Sequence, residues 1–318
     1  MDDVMIRAFN LTKRYASLTA VDKISFDIPK GQVVGFLGPN GAGKTTTMRL
    51  LTAYLPASSG RCEVMGHDVS KEPLAVRRSI GYLPENNPLY EDFEVTDTLH
   101  YVGKLRGMTD PARRMERVKT VLKACGLRSA VGKKVSELSK GYRQRLGLAG
   151  AIIHDPDVLI LDEPTSGLDP NQVLEVRELI KDLKKEKTLL LSTHILSEVT
   201  ATCDRIIIIS AGKIAADGTA VEISGSLQNK NRLYLEMKGP DSAVSEALSA
   251  LPGAARVYPD QQDGGRSGFI VESEAKTDLR EAAFNLAAEK RWPILAMSQK
   301  TLSLEEVFRK LTQEQPQP

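Results

Sequence analysis

The chain has 318 residues, with 43 basic and 41 acidic side chains and a formal net charge of +2, a balance that excludes a nucleic-acid stripe or an acid-seeking surface as its organising feature. That length suits a main domain plus an appendage, large enough to bury a core without staples. Cys62, Cys125 and Cys203 lie far apart with no CxxC pair, which argues against a disulfide framework or a thiolate metal site and points to a reducing compartment.

The opening Met-Asp-Asp-Val-Met-Ile-Arg lacks a basic and then apolar leader pattern. No apolar run approaches the roughly 18 residues that span a bilayer, so work at a membrane requires another chain to supply the span. Leu11–Ile28 has strand character and opens a β-rich lobe. Gln32–Leu37 is an apolar run suited to a buried parallel strand, and Thr46–Ala53 reads as a helix.

Between them Gly38, Pro39, Asn40, Gly41, Ala42, Gly43, Lys44 and Thr45 match the phosphate-loop pattern GxxxxGK[ST] at every fixed position, with Thr46 next. Glycines let successive N–H groups point inward at phosphate oxygens, aided by the positive end of the helix dipole. In that pattern Lys44 reaches the β/γ-phosphates and Thr45 places its hydroxyl on Mg²⁺.

From Val95 to Gly150 the spacing turns helical and basic, which predicts a helical insert over about 90–150. Val158–Leu161 and Thr188–Ser192 read as buried strands around the helix-patterned Asn171–Lys185, a βαβ unit, and Ile206–Ile209 adds a strand. The first of these strands ends in Asp162 and Glu163, the arrangement in which one acid holds Mg²⁺ and the next orients or deprotonates the attacking water.

After about Ala220 the order becomes β-α-β-β-α: Leu233–Met237, Ser242–Leu251, Arg256–Tyr258, Phe269–Glu272 and Asp278–Lys290, with Ile294–Met297 as a last strand. That order suggests a small ferredoxin-like α+β domain. Leu304–Leu311 reads as an amphipathic helix and Gln313–Pro318 as a frayed tail. Nothing in Asn231–Lys300 forms a chemical constellation; Trp292 and Phe284 read as core and the acids as solvated faces.

Upstream of the acid pair lies Leu-Ser139-Lys-Gly141-Tyr-Arg-Gln-Arg; downstream come Ser-Gly-Leu-Asp169 and Leu-Ser-Thr-His194. With these the chain resembles, over about residues 4–220, the nucleotide-binding domain of ATP-binding cassette (ABC) transporters. The resemblance implies a P-loop NTPase: an α/β RecA-like core with an antiparallel β lobe and helical insert over 1–220, followed by the accessory domain over 221–318. It implies that Tyr15 stacks on adenine and that Ser139 and Gly141 contact the γ-phosphate of ATP bound to the other protomer. Asp169 would couple the two sites, and His194 would donate to the γ-phosphate or water. A head-to-tail homodimer with two ATP at its interface follows.

Two positions depart from the family pattern. Glu85 stands where Gln is usual, at the position that senses Mg²⁺ and contacts the permease; it can still coordinate a hard cation but loses an amide donor. Lys140 and Tyr142 replace Gly and Gln in the signature. Gly-Tyr-Leu-Pro-Glu-Asn-Asn-Pro-Leu-Tyr, Thr98–Arg106 and the ending Ser-Leu-Glu-Glu-Val-Phe-Arg-Lys-Leu are similar to ATPases of type 2 exporters, including gliding-motility-type members. There the permease is a separate polypeptide, which implies a peripheral protein on the cytoplasmic side of the cell membrane. The alternative is a soluble ABC ATPase acting on ribosome or DNA. The former class carries two cassettes where this chain has one, and the latter long heptad repeats that are missing between Lys44 and Asp162.

Overall fold

Two long strands, β1 (Val4–Tyr15) and β2 (Leu18–Pro29), pair antiparallel at the start of the chain. In β2 Ile24, Phe26 and Ile28 alternate inward against solvated neighbours, the period of a half-buried strand. The structure is a computed structural model that describes residues 3–226, 230–262, 266–274, 277–300 and 303–313. Its first compact unit takes in the chain up to Ala220 together with the end of the chain from Leu311, and its second runs from Val221 to Lys310.

In the first unit β3 (Val33–Leu37) leads into α1 (Lys44–Leu51), followed by β4 (Ser59–Val64), β5 (His67–Asp68), α2 (Pro73–Ser79) and β6 (Ile80–Leu83). A helical stretch follows: α3 (Val95–Leu105), α4 (Pro111–Ala124) and α5 (Lys140–Ile152). Asp110 caps α4 by accepting from Ala112 N, with Pro111 in the first turn where its missing N–H costs nothing. The chain then alternates through β7 (Val158–Asp162), α6 (Pro170–Lys184), β8 (Thr188–Thr193), α7 (Leu196–Thr202), β9 (Arg205–Ser210) and β10 (Lys213–Gly218).

These strands form two sheets, an antiparallel one in the order β2-β1-β4-β5 and a six-stranded one in the order β10-β9-β3-β8-β7-β6. In the second sheet only the edge pair β10/β9 is antiparallel. Every residue of β3, β7 and β8 is buried, as a parallel strand covered on both faces requires. The two sheets share one apolar core, where the Phe26 and Phe36 rings meet at 5.8 Å.

The second unit contains α8 (Ala220–Ser226), β11 (Lys230–Met237), α9 (Asp241–Ser249), β12 (Ala254–Gln262), β13 (Arg266–Glu274), α10 (Arg280–Lys290), β14 (Ile294–Lys300) and most of α11 (Leu304–Gln313). Its antiparallel sheet has the order β12-β13-β11-β14. Leu233, Leu235, Val244, Leu248, Phe269 and Val271 centre its core, and Trp292 packs against it.

Three sequence expectations fail here. Phe284 is 59% exposed, because the inward face of α10 is set by Ala283 and Ala287, one turn apart, and the next residue rotates about 100° away. Glu272 is buried and not solvated, with its Oε1 2.9 Å from Arg232 Nη2. Of the expected tail Gln313–Pro318, Gln313 instead closes α11, and residues 314–318 lie outside the described residues.

Candidate nucleotide site

β3 and α1 are joined by a turn that only glycine permits at two points. A Cβ on Gly38 would lie 2.4 Å from the Ile209 carbonyl. Gly43, at φ +106, caps α1 in a left-handed conformation, and a Cβ there would meet Ala20 O at 2.4 Å. The turn folds back on the lysine that follows it. Lys44 Nζ donates to Gly38 O at 2.8 Å and Pro39 O at 3.2 Å, and lies 3.3 Å from Glu163 Oε1. Ala42 is buried behind the turn, its N–H on Pro39 O.

β7 delivers the acid pair to the same place. Asp162 Oδ1 accepts from Thr45 Oγ1 at 3.2 Å and from Ser192 Oγ at 2.6 Å. Its other oxygen, Oδ2, is buried with no hydrogen-bond partner among the described residues. Burial pushes the Asp162 carboxyl above its ordinary range; the Ser192 and Thr45 hydroxyls oppose this, and the neighbouring Glu85 and Glu163 charges reinforce it. A raised, half-satisfied carboxylate beside a hydroxyl is a hard-oxygen pair suited to a divalent cation such as Mg²⁺.

Glu163 adopts φ 49, a left-handed conformation that is costly for a residue with a side chain. Its N–H donates to Ser192 Oγ at 3.0 Å, so one β8 hydroxyl organises both acids. His194, at the end of β8, places Nδ1 3.1 and 3.0 Å from the two Glu163 carboxylate oxygens. The Glu163 carboxylate is thus flanked by an ammonium and an imidazole while almost wholly buried.

A cavity of about 440 Å³ opens over Lys44, Thr45 and Glu163, with Asp162 and His194 outside its lining. Tyr15, Asn40, Gly41, Gly43, Lys44, Thr45, Thr46, Glu85 and Glu163 all line it. Tyr15 is 42% exposed there, with Lys13 Nζ 5.2 Å from its ring centroid. Glu85, just past β6, is exposed, lines the cavity, and lies close enough to Asp162 for its charge to push that carboxyl up. Chemically, the cavity offers polyphosphate a cradle of N–H groups, an ammonium and a hydroxyl, with a carboxylate placed to take a proton from water.

Ser139, Gly141 and Asp169 do not line this cavity. Ser139 caps α5, its Oγ accepting from Tyr142 N at 3.4 Å, and buried Gly141 follows in the first turn. Asp169 caps α6, accepting from Asn171 N and Gln172 N at 3.0 Å each. A Cβ on Gly141 would lie 2.4 Å from Gln172 Oε1, so the starts of α5 and α6 are in contact. Ser192 is a residue that sequence reasoning left without a role; its signal was its place in Leu-Ser-Thr-His.

The family model described as ABC transporter matches residues 21–166. The bacitracin transport ATP-binding protein BcrA of Bacillus licheniformis is 34% identical over 309 residues, covering 96% of this chain and 97% of its own. This chain belongs to the ATP-binding proteins of ABC transporters. The cassette binds and hydrolyses ATP to drive export through a permease on a separate chain. The daunorubicin/doxorubicin resistance ATP-binding protein DrrA of Streptomyces peucetius is 35% identical over 318 residues, covering 96% of this cassette's chain and 92% of its own.

Among solved structures, that of the ATP-binding subunit of an ABC transporter superposes with a TM-score of 0.64 at 28% identity, covering 70% of this chain and 92% of that one. The ATP-binding cassette MJ0796, in a dimeric post-hydrolysis state bound to ADP and phosphate, gives 0.63 at 24% identity over 68% and 98% of the chains, a likeness of fold. Among the described residues no helix of the cassette is long and apolar enough to cross a membrane.

Proposed function

We propose that the cassette works as a head-to-tail homodimer that closes on two ATP molecules, lying peripherally on the cytoplasmic side of the membrane against its permease, without nucleic acid. Residues 1–220 form the ATPase domain and 221–318 the accessory domain. The observation that carries this reading is the setting of Glu163. It is buried at the cavity wall, 3.3 Å from Lys44 Nζ and 3.0 Å from His194 Nδ1.

In this mechanism the Gly38–Gly43 backbone and Lys44 hold the phosphates, and Tyr15 packs on the adenine. Thr45 and Asp162 would hold Mg²⁺, with Glu85 at the edge of the same site; the ion supplies neutralisation of phosphate charge. Glu163 accepts the proton of the attacking water, and His194 donates to the γ-phosphate. Ser139 and Gly141 of one protomer meet the γ-phosphate held by the other, and Asp169 links the two sites. Binding therefore closes the dimer, and loss of the charge-assisted γ-phosphate contacts on hydrolysis opens it. That cycle drives the permease, which contacts the cargo.

The test uses Glu163→Gln, tagged and extracted from native membranes in mild detergent with ATP, with co-purifying chains identified by mass spectrometry. A polytopic membrane protein in stoichiometric amount is the expected result. Recovery only with ribosomal or DNA-associated partners in the soluble fraction would overturn the peripheral, permease-bound placement.

A further inference from the structure

Glu198, in the first turn of α7, is 4% exposed and has no place in the mechanism above. Its two carboxylate oxygens are divided between the loop after β7 and the end of β8. Oε1 accepts from Thr165 Oγ1 at 2.5 Å, and Oε2 accepts from Thr193 Oγ1 at 2.7 Å. Arg177 Nη2, on α6, lies 3.9 Å from Oε1 and balances the buried charge. α7 itself is anchored to the same point, since Thr193 Oγ1 accepts from Ile195 N at 3.1 Å and Thr202 Oγ1 donates to Glu198 O at 2.6 Å.

The two threonines bracket the reacting groups. Thr165 follows Glu163 by two residues and Thr193 immediately precedes His194. Thr165 also sits at the root of the segment leading to Asp169, its carbonyl accepting from Leu168 N at 3.2 Å. Glu163 is held in a left-handed conformation, so something outside its own dihedral preference must over-determine it. The Ser192 bonds fix its N–H from the strand side; the Glu198–Thr165 bond fixes the chain on its far side.

We infer that Glu198 is a positioning residue for hydrolysis: one buried carboxylate clamps the loop carrying Glu163 to the strand end carrying His194, setting their 3.0 Å approach. This rests on the roles given to Glu163 and His194 above. The clamp touches neither Lys44 nor Thr45, so it governs turnover and leaves ATP binding alone.

The experiment is steady-state ATPase kinetics of the full chain, with ATP affinity measured separately. Glu198→Ala is expected to lower kcat by about 10²-fold with KM for ATP within about twofold, the signature of lost orientation. Glu198→Gln fills the same space, still bonds hydroxyls, and restores most of the rate. Thr165→Val and Thr193→Val remove the donors without touching Glu198 and lower kcat in the same sense, while Thr165→Ser keeps the wild-type rate; these carry the test if Glu198→Ala does not fold.

Wild-type kcat in Glu198→Ala or in both valine variants overturns the clamp, as does a fall in ATP affinity that accounts for the whole loss of rate. Glu163→Gln runs alongside: if it turns over normally, the role given to Glu163 is wrong. If it is inert while the clamp variants are normal, only the clamp is wrong.

Discussion

Thr45 Oγ1 donates to Asp162 Oδ1 at 3.2 Å, tying the start of α1 to the end of β7, while the second carboxylate oxygen is buried without a partner among the described residues. Burial holds this carboxyl above its ordinary range, so folding favours its protonated form. The contribution of Asp162 to stability is therefore greatest at low pH and is lost as pH rises through the raised folded-state value. Asp162→Asn cannot ionise and keeps an acceptor for both hydroxyls.

Thermal melts of the protein without nucleotide are expected to show Asp162→Asn melting above wild type at pH 7–8, with the gap closing as pH falls into the ordinary carboxylate range. The same variant loses Mg²⁺-dependent ATPase activity by at least about tenfold. A variant that melts lower than wild type at every pH would contradict the assignment of a strained, functionally retained acid.

Gly43 and Gly41 separate two causes of glycine retention in the loop. Both have positive φ, but a Cβ on Gly43 would strike Ala20 O at 2.4 Å whereas one on Gly41 meets nothing within 4 Å. Gly41→Ala is expected to lose about 1 kcal/mol of stability from backbone strain alone. Gly43→Ala adds a clash with fixed backbone, costs more than that, and abolishes ATP binding. Denaturant unfolding with fluorescent ATP titration checks both, and equal effects at the two positions would count against the geometry.

How much of this was legible in the sequence depends on where the signal was stored. The phosphate loop and the acid pair are local patterns beside short apolar runs, Val33–Leu37 and Val158–Leu161, whose length and branched residues suit buried parallel strands. β4 and β6 were not legible as strands: Ser59–Val64 buries only Cys62 and Val64, and Ile80–Leu83 is short and continues into Pro84. Ser192 bonds to Asp162 and Glu163, and Glu198 to Thr165, across about thirty residues of sequence, a separation no spacing rule covers. Phe284 misled because aromatic character suggests burial, while the neighbouring alanines set the face of α10.

Lys44 and Glu163 form a buried ion pair, 3.3 Å apart and each under 10% exposed. Lys44→Ala removes the proposed phosphate contact and leaves an acid with one positive neighbour fewer, so it is expected to lower both ATP affinity and stability, the latter by about 3 kcal/mol. Adding Glu163→Gln removes the stranded charge. The double variant should regain most of the stability and none of the affinity, which a double-mutant cycle of melts and ATP titrations measures.

Asp169 has a structural duty that must be separated from the coupling assigned to it. It caps α6 through Asn171 N and Gln172 N, so Asp169→Ala should cost about 1 kcal/mol. Asn is an equally good cap. Asp169→Asn should therefore melt like wild type yet lose positive cooperativity in ATP hydrolysis; unchanged cooperativity would confine Asp169 to capping.

Closure of two cassettes around ATP is isolated by Glu163→Gln with Mg²⁺ and ATP, which is expected to block the step that reopens the dimer. Light scattering of that variant, with and without nucleotide, is the direct measurement. The mass is expected to double on adding ATP and to stay single with ADP. A single mass under saturating ATP would contradict it, leaving the phosphate site intact but removing the sandwiched dimer from the mechanism.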